Sequence, residues 1–82
     1  MESSVKISIF PNRELSYSRI KKIVDSLYKE AKEQGIIIRF HDQVTELIGD
    51  YKTVINFFSN EILKLSKAEK ISEISVKLQI NF

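Results

Sequence analysis

Arg39-Phe40-His41-Asp42-Gln43-Val44-Thr45-Glu46-Leu47-Ile48-Gly49-Asp50 is the stretch on which the fold turns. Ile36-Ile37-Ile38 just before it is short and β-branched, which argues for a strand. His41-Asp42-Gln43 reads as a turn into a second strand running from Val44 to Ile48. Gly49-Asp50 breaks that strand, and Asp50 is a suitable N-cap for a helix. The stretch thus predicts a β-hairpin in mid-chain with a helix launched from its end. It also holds the only histidine, an adjacent aspartate, and the polar pair Thr45 and Glu46 inside an otherwise apolar strand.

Working upstream, Val5, Ile7 and Ile9 alternate with Lys6, Ser8 and Phe10, the period-two pattern of a strand. Pro11-Asn12 stops it, because proline cannot donate to a ladder. Ser16 or Ser18 can cap a helix whose apolar stripe is Ile20, Ile23, Val24, Leu27 and Ala31, with Lys21, Lys22, Asp25, Lys29 and Lys32 off that stripe. Gly35 is well placed as the left-handed residue that ends it. Downstream, Tyr51, Val54, Ile55, Phe58, Ile62 and Leu65 form a second helical stripe, with Phe57 at its margin and Leu63 on the far side. From Ile71 alternation returns: Ile74, Val76, Leu78, Ile80 and Phe82 share one face, and Ser75, Lys77, Gln79 and Asn81 the other.

The order is βαββαβ, with strands near 4–10, 36–41, 43–49 and 72–81 and helices near 17–34 and 51–67, bounds good to about 2–4 residues. Two split right-handed βαβ crossovers give an α+β ferredoxin-like plait: a four-stranded antiparallel sheet with both helices on one face. The second sheet face stays uncovered, lined by Lys6, Ser8 and Phe10 from the first strand and Ser75, Lys77 and Gln79 from the last. Phe10, with Phe57 or Leu63 from the second helix, is apolar surface to hide. That predicts a homodimer or a tetramer built as a dimer of dimers, burying about 1,200 Å² or more in its main interface.

At 82 residues the chain reads as a single domain, 1–82, near the lower limit for a self-sufficient core. A hydrophobic fraction of 43% and a charged fraction of 29% are those of an ordinary globular protein. A formal net charge of +2 gives no argument for nucleic acid or an anionic membrane. The absence of cysteine excludes disulfides and thiolate chemistry. No apolar run reaches the roughly 18 residues of a spanning helix and Met1-Glu2-Ser3-Ser4 opens no signal-peptide pattern, so a cytoplasmic location without membrane insertion is expected. Two glycines and one proline leave no glycine-rich phosphate loop.

His41-Asp42 could be a base with its orienting carboxylate, but neighbours on a strand point to opposite faces, and nothing specifies a nucleophile. A turn histidine followed by a turn aspartate is the plain alternative. One histidine with scattered carboxylates makes a poor metal site, and no cofactor or enzymatic activity is expected. Of Thr45 and Glu46, one must face the helices and the other the open face. An inward Glu46 needs a hydrogen-bonded partner, whereas an outward one is an ordinary charge; local pattern leaves both open. RNA binding is not expected, since Val44 to Ile48 lacks the aromatic residues of an RNA-recognition motif's third strand.

Ile7-Ser8-Ile9-Phe10-Pro11 and Asp42-Gln43-Val44-Thr45-Glu46-Leu47-Ile48 carry a resemblance that extends over nearly the whole chain. The first is similar to a strand ending in Ser-x-aromatic-Pro, and the second to a Thr-Asp-x-Ile-Ser-Thr-Val-Leu segment, of the YkoF-like family of ferredoxin-like thiamine- and hydroxymethylpyrimidine-binding proteins. Ser8, Asp42 and Thr45 keep family-like types. Phe10 replaces a tyrosine, and Glu46 and His41 stand where threonine is common. The resemblance implies non-catalytic binding of thiamine or a pyrimidine precursor, in support of vitamin uptake or salvage, at a site formed by Ser8, Phe10, His41, Asp42, Thr45 and Glu46. Chemistry agrees: a carboxylate from Asp42 or Glu46 suits an amine or thiazolium, Phe10 a ring, and Ser8 and Thr45 hydrogen bonds. The alternative is a structural or regulatory plait whose open sheet serves only oligomerisation.

Overall fold

The computed structural model describes residues 3–10, 14–71 and 73–81, without the side chains of 14–16. Along the chain run β1 (Ser4–Phe10), α1 (Glu14–Ser26), α2 (Tyr28–Glu33), β2 (Ile37–His41), β3 (Val44–Asp50), α3 (Tyr51–Phe57), a π-helical turn (Phe58–Ile62), α4 (Leu63–Ala68) and β4 (Ser75–Asn81). The sheet order is β2-β3-β1-β4 and every neighbouring pair is antiparallel. This is the ferredoxin-like plait that the alternation and helical stripes predict. The expected stop at Pro11-Asn12, the start of the last strand at Ser72, and Phe82 lie outside the described residues.

Local chemistry explains the punctuation. Asp42 and Gln43 both take left-handed backbone angles (φ 47° and 65°), the requirement of the tight two-residue turn whose twist matches a hairpin. Asp50 caps α3, its carboxylate accepting from the Thr53 backbone N–H at 3.2 Å. Gly35, at φ 78°, follows α2, and Ile36 N–H reaches back to the Ala31 carbonyl at 2.9 Å. Lys70 performs the same closure after α4 at φ 59°, with Ile71 N–H on the Ser66 carbonyl at 2.9 Å; no glycine announced it.

Two expectations about the first helical arm are corrected. It begins at Glu14, so Ser16 and Ser18 lie within the helix and neither is its cap. The arm is also interrupted at Leu27. The Ser26 hydroxyl donates to the Ile23 carbonyl at 2.6 Å, competing with the helical ladder where α1 gives way to α2.

Val5, Ile7 and Ile9 pack with Ile20, Ile23, Val24, Leu27, Ala31, Leu47, Val54, Phe57 and Ile62 in one core between sheet and helices. Phe57 belongs to that core rather than to a helix margin: it is 2% exposed. The reason is the π-helical turn directly after it. An extra residue in the turn places Phe57 and Ile62 on the same inward side, a spacing that a regular 3.6-residue period would not align. Phe57 therefore supplies no surface for assembly.

β4 departs in the other direction. Its register is as expected, with Val76, Leu78 and Ile80 opposite Ile9, Ile7 and Val5 and so on the helix-facing side. Yet Val76 and Leu78 are 46% and 47% exposed. α3 crosses β3 and β1, and α2 lies beside β2, which leaves most of this edge strand without a cover.

Candidate functional site

The sheet register decides which polar residues meet. Residues directly opposed in an antiparallel pair point to the same face, and successive residues alternate. Arg39 opposes Glu46, Glu46 opposes Ser8, and Ser8 opposes Lys77. One continuous polar row, Arg39–Glu46–Ser8–Lys77, thus crosses all four strands on the face turned away from the helices. Lys6 and Gln79 lie in the adjoining row on one side. His41, paired with Val44, and Phe10, paired with Ser75, lie on the other.

Glu46 is the centre of this face. On β3, flanked by β1 and β2, it is only 8% exposed although no helix covers it. The long side chains around it provide the shading. One carboxylate oxygen, Oε1, accepts from His41 Nε2 at 2.9 Å. The other, Oε2, lies 3.3 Å from Lys6 Nζ. Burial pushes this carboxyl upward, but the hydrogen bonds and charges of His41 and Lys6 outweigh it and hold Glu46 below the ordinary glutamate value. The pattern left open whether Glu46 faces in or out, and it faces out while remaining buried, already holding two partners.

Ser8 is 6% exposed beside Glu46, and its hydroxyl has no hydrogen-bond partner among the described residues. Phe10, at the end of β1, is 38% exposed and offers ring surface next to this row. Asp42 sits in the hairpin turn with its side chain almost wholly in solvent, 3.9 Å from His41 Nδ1, an exposed contact worth little. Ser8, Phe10, His41 and Glu46 therefore share one face, with Asp42 at its rim.

Thr45 is not brought to them. It opposes Ile9 and Phe40, on the helix side, where Lys21 Nζ stands 5.0 Å from the Phe40 ring centroid. Its hydroxyl is buried, in a residue 1% exposed, and makes no hydrogen bond among the described residues. Lys6, Arg39 and Lys77, absent from the candidate set, belong to the same face as Glu46. Alternation along β1 and β4 marked Lys6 and Lys77 as open-face residues; their nearness to Glu46 needed the register.

The site is a shaded surface rather than a cleft. A recess of about 350 Å³ lies elsewhere, between α1 and α4, lined by Arg19, Lys22, Ile23, Ser26, Leu65 and Glu69. Its polar lining is mostly exposed side chains, whereas the sheet face holds a carboxylate that is only 8% exposed, with two partners whose bonds lower its pKa, so the chemistry favours the sheet. No cluster of three or more potential metal-ligating side chains occurs among the described residues. No described helix is long and apolar enough to cross a membrane.

No protein-family model matches the chain, and no curated protein matches it in sequence. Solved structures do match in fold. One is a protein from Thermotoga maritima provisionally assigned to thiamine biosynthesis or salvage, 16% identical, with a TM-score of 0.56 over 100% of this chain and 84% of that one. Another is the de novo designed protein Foldit4, also 16% identical, with a TM-score of 0.53 over 100% of this chain and 98% of that one. At this identity the likeness establishes the α+β plait. A designed protein of the same shape illustrates that such a fold carries no function by itself.

Proposed function

We propose that this chain is a YkoF-like ferredoxin-like protein that binds thiamine or its hydroxymethylpyrimidine moiety without turning it over, in support of vitamin uptake or salvage in the cytoplasm. The observation that carries the reading is the Glu46 centre: a shaded carboxylate hydrogen-bonded to His41, beside the free hydroxyl of Ser8 and the exposed ring of Phe10. An aminopyrimidine needs ring surface and a hydrogen-bonding edge, and this face has both. The thiamine-related assignment of the Thermotoga maritima neighbour agrees with the same reading.

The spacing of the candidate groups supports binding without turnover as part of this proposal. Ser8 on β1 and His41 on β2 are separated by β3, which puts their backbones roughly 10 Å apart and prevents a serine–histidine hydrogen bond. Because the face is shallow, a second copy laid against it would enclose the ligand, with Asp42 at the rim reaching across. Thr45 acts from beneath the sheet, positioning β3 rather than touching ligand.

Isothermal calorimetry with thiamine and with hydroxymethylpyrimidine tests the reading. Glu46→Ala should weaken binding roughly 10–100-fold, the loss expected for a hydrogen bond to a charged group. Absence of binding by the parent would refute it. A second reading, a module for assembly alone, is favoured by one observation: Val76 and Leu78 are exposed along the β4 edge, where strand pairing with another copy is open.

A further inference from the structure

The charge on the open face is divided between its two halves. The β2–β3 half holds its carboxylate, Glu46, already engaged by His41 and Lys6. The β1–β4 half presents Lys6, Ser8, Lys77, Gln79, Ser4 and Asn81 and carries no acidic residue. Among the described residues, the other carboxylates near this face are Asp50, at the end of β3 and occupied in capping α3, and Asp42 at the hairpin tip. Arg39 and Lys77 have no ion-pair partner among the described residues. The face therefore has an excess of fixed positive charge, an unfavourable seat for an isolated thiazolium cation. Its one shaded carboxylate is already shared between His41 and Lys6 and offsets only part of that excess.

Ser8 is the pivot. The residue is 6% exposed, its hydroxyl makes no hydrogen bond among the described residues, and it sits on the strand between Glu46 and Lys77. Lys77 stands directly opposite Ser8 and Lys6 two residues before it on β1, so the two lysines are diagonal to each other, a separation of roughly 7–8 Å that lysine side chains can close onto a shared anion, with Lys6 also in reach of Glu46. Ammonium groups flanking a hydroxyl donor make a phosphate seat, because a phosphoryl group brings both charge and acceptor oxygens.

We propose that the β1–β4 half of the open face receives the phosphate of a phosphorylated ligand, the seat being formed by Ser8, Lys6 and Lys77. The ligand is then the phosphate ester of the aminopyrimidine or thiamine whose ring lies toward Phe10, His41 and Glu46. The phosphate neutralises the excess cations that the unphosphorylated vitamin leaves unbalanced. This inference rests on the proposed binding function and specifies which form of the ligand is bound.

Calorimetry on the parent with thiamine, thiamine monophosphate and thiamine diphosphate is the test. The monophosphate should bind at least about tenfold more tightly than thiamine, and the ratio should shrink as salt rises. Lys77→Gln and Ser8→Ala should each collapse the ratio of the two affinities toward one, with circular dichroism confirming that both variants fold. Thiamine bound as tightly as its monophosphate would overturn the phosphate seat and leave the functional reading standing. So would a ratio unchanged in both variants. Failure of the parent to bind any of these ligands would overturn both. A single-stranded oligonucleotide bound more tightly than the monophosphate would replace the small ester with a nucleic-acid backbone.

Discussion

Replacing Glu46 with glutamine removes one charge while keeping the side chain's shape. His41 Nε2 at 2.9 Å is a full-strength, charge-assisted contact, and Lys6 Nζ at 3.3 Å a weaker one. Both partner side chains are substantially hydrated, at 53% and 36% exposed, so they recover solvent once the carboxylate is lost. The penalty therefore falls short of that for orphaning a buried ion, and Glu46→Gln should destabilise by about 1–1.5 kcal/mol at pH 7. For a domain of this size that is a fall in Tm of roughly 4–12 °C. Protonation distinguishes this account from simple loss of packing. The folded-state carboxyl lies below its ordinary value of 4.5, so its contribution is complete above that pH and is lost as pH falls through the lower folded value. Chemical denaturation of parent and Glu46→Gln at a series of pH values should show a full gap near pH 7 that closes toward pH 2.5. A gap that persists unchanged to pH 2.5 would refute the ionised pairing. A variant more stable than the parent at pH 7 would show that desolvation exceeds what His41 and Lys6 return.

Two further outcomes follow from the backbone and the edge. Gln43 and Lys70 hold left-handed angles that a side chain resists, so Gln43→Gly and Lys70→Gly should each raise stability by about 0.5–1 kcal/mol in urea titrations; a loss at either would mean the left-handed turn is not formed. Assembly on the β4 edge should appear in light scattering as a dimer or larger oligomer at micromolar concentration, and Val76→Lys with Leu78→Lys should return a monomer. A parent that is monomeric at high micromolar concentration would exclude that assembly.

Much of this protein was legible from local pattern. Alternation in Val5–Phe10, β-branching at Ile36–Ile38 and the breaks at Gly35 and Gly49-Asp50 determined the βαββαβ order, because strand period, left-handed turns and caps are properties of a few consecutive residues. The first helix's early start and its interruption at Leu27 were not visible, since a serine hydroxyl in competition with the ladder looks like any other helical serine. An even helical period puts Phe57 at the margin of its stripe, and only the π-helical turn after it brings Phe57 and Ile62 into the core together.

The site shows the same division. Alternation by itself determined that Thr45 and Glu46 point to opposite faces and that Lys6 shares a face with Ser8. Only the tertiary structure decided which face was which. A strand's pattern is unchanged when it is turned over, and the pairing of Glu46 with Ser8 removes that ambiguity. The same holds for burial. Val76 and Leu78 follow the core pattern but are exposed because no helix crosses most of β4, whereas Glu46 is shaded on the uncovered face by side chains from β1 and β2. Sequence period sets where a side chain points along its own strand; what lies over it depends on residues far away in the chain.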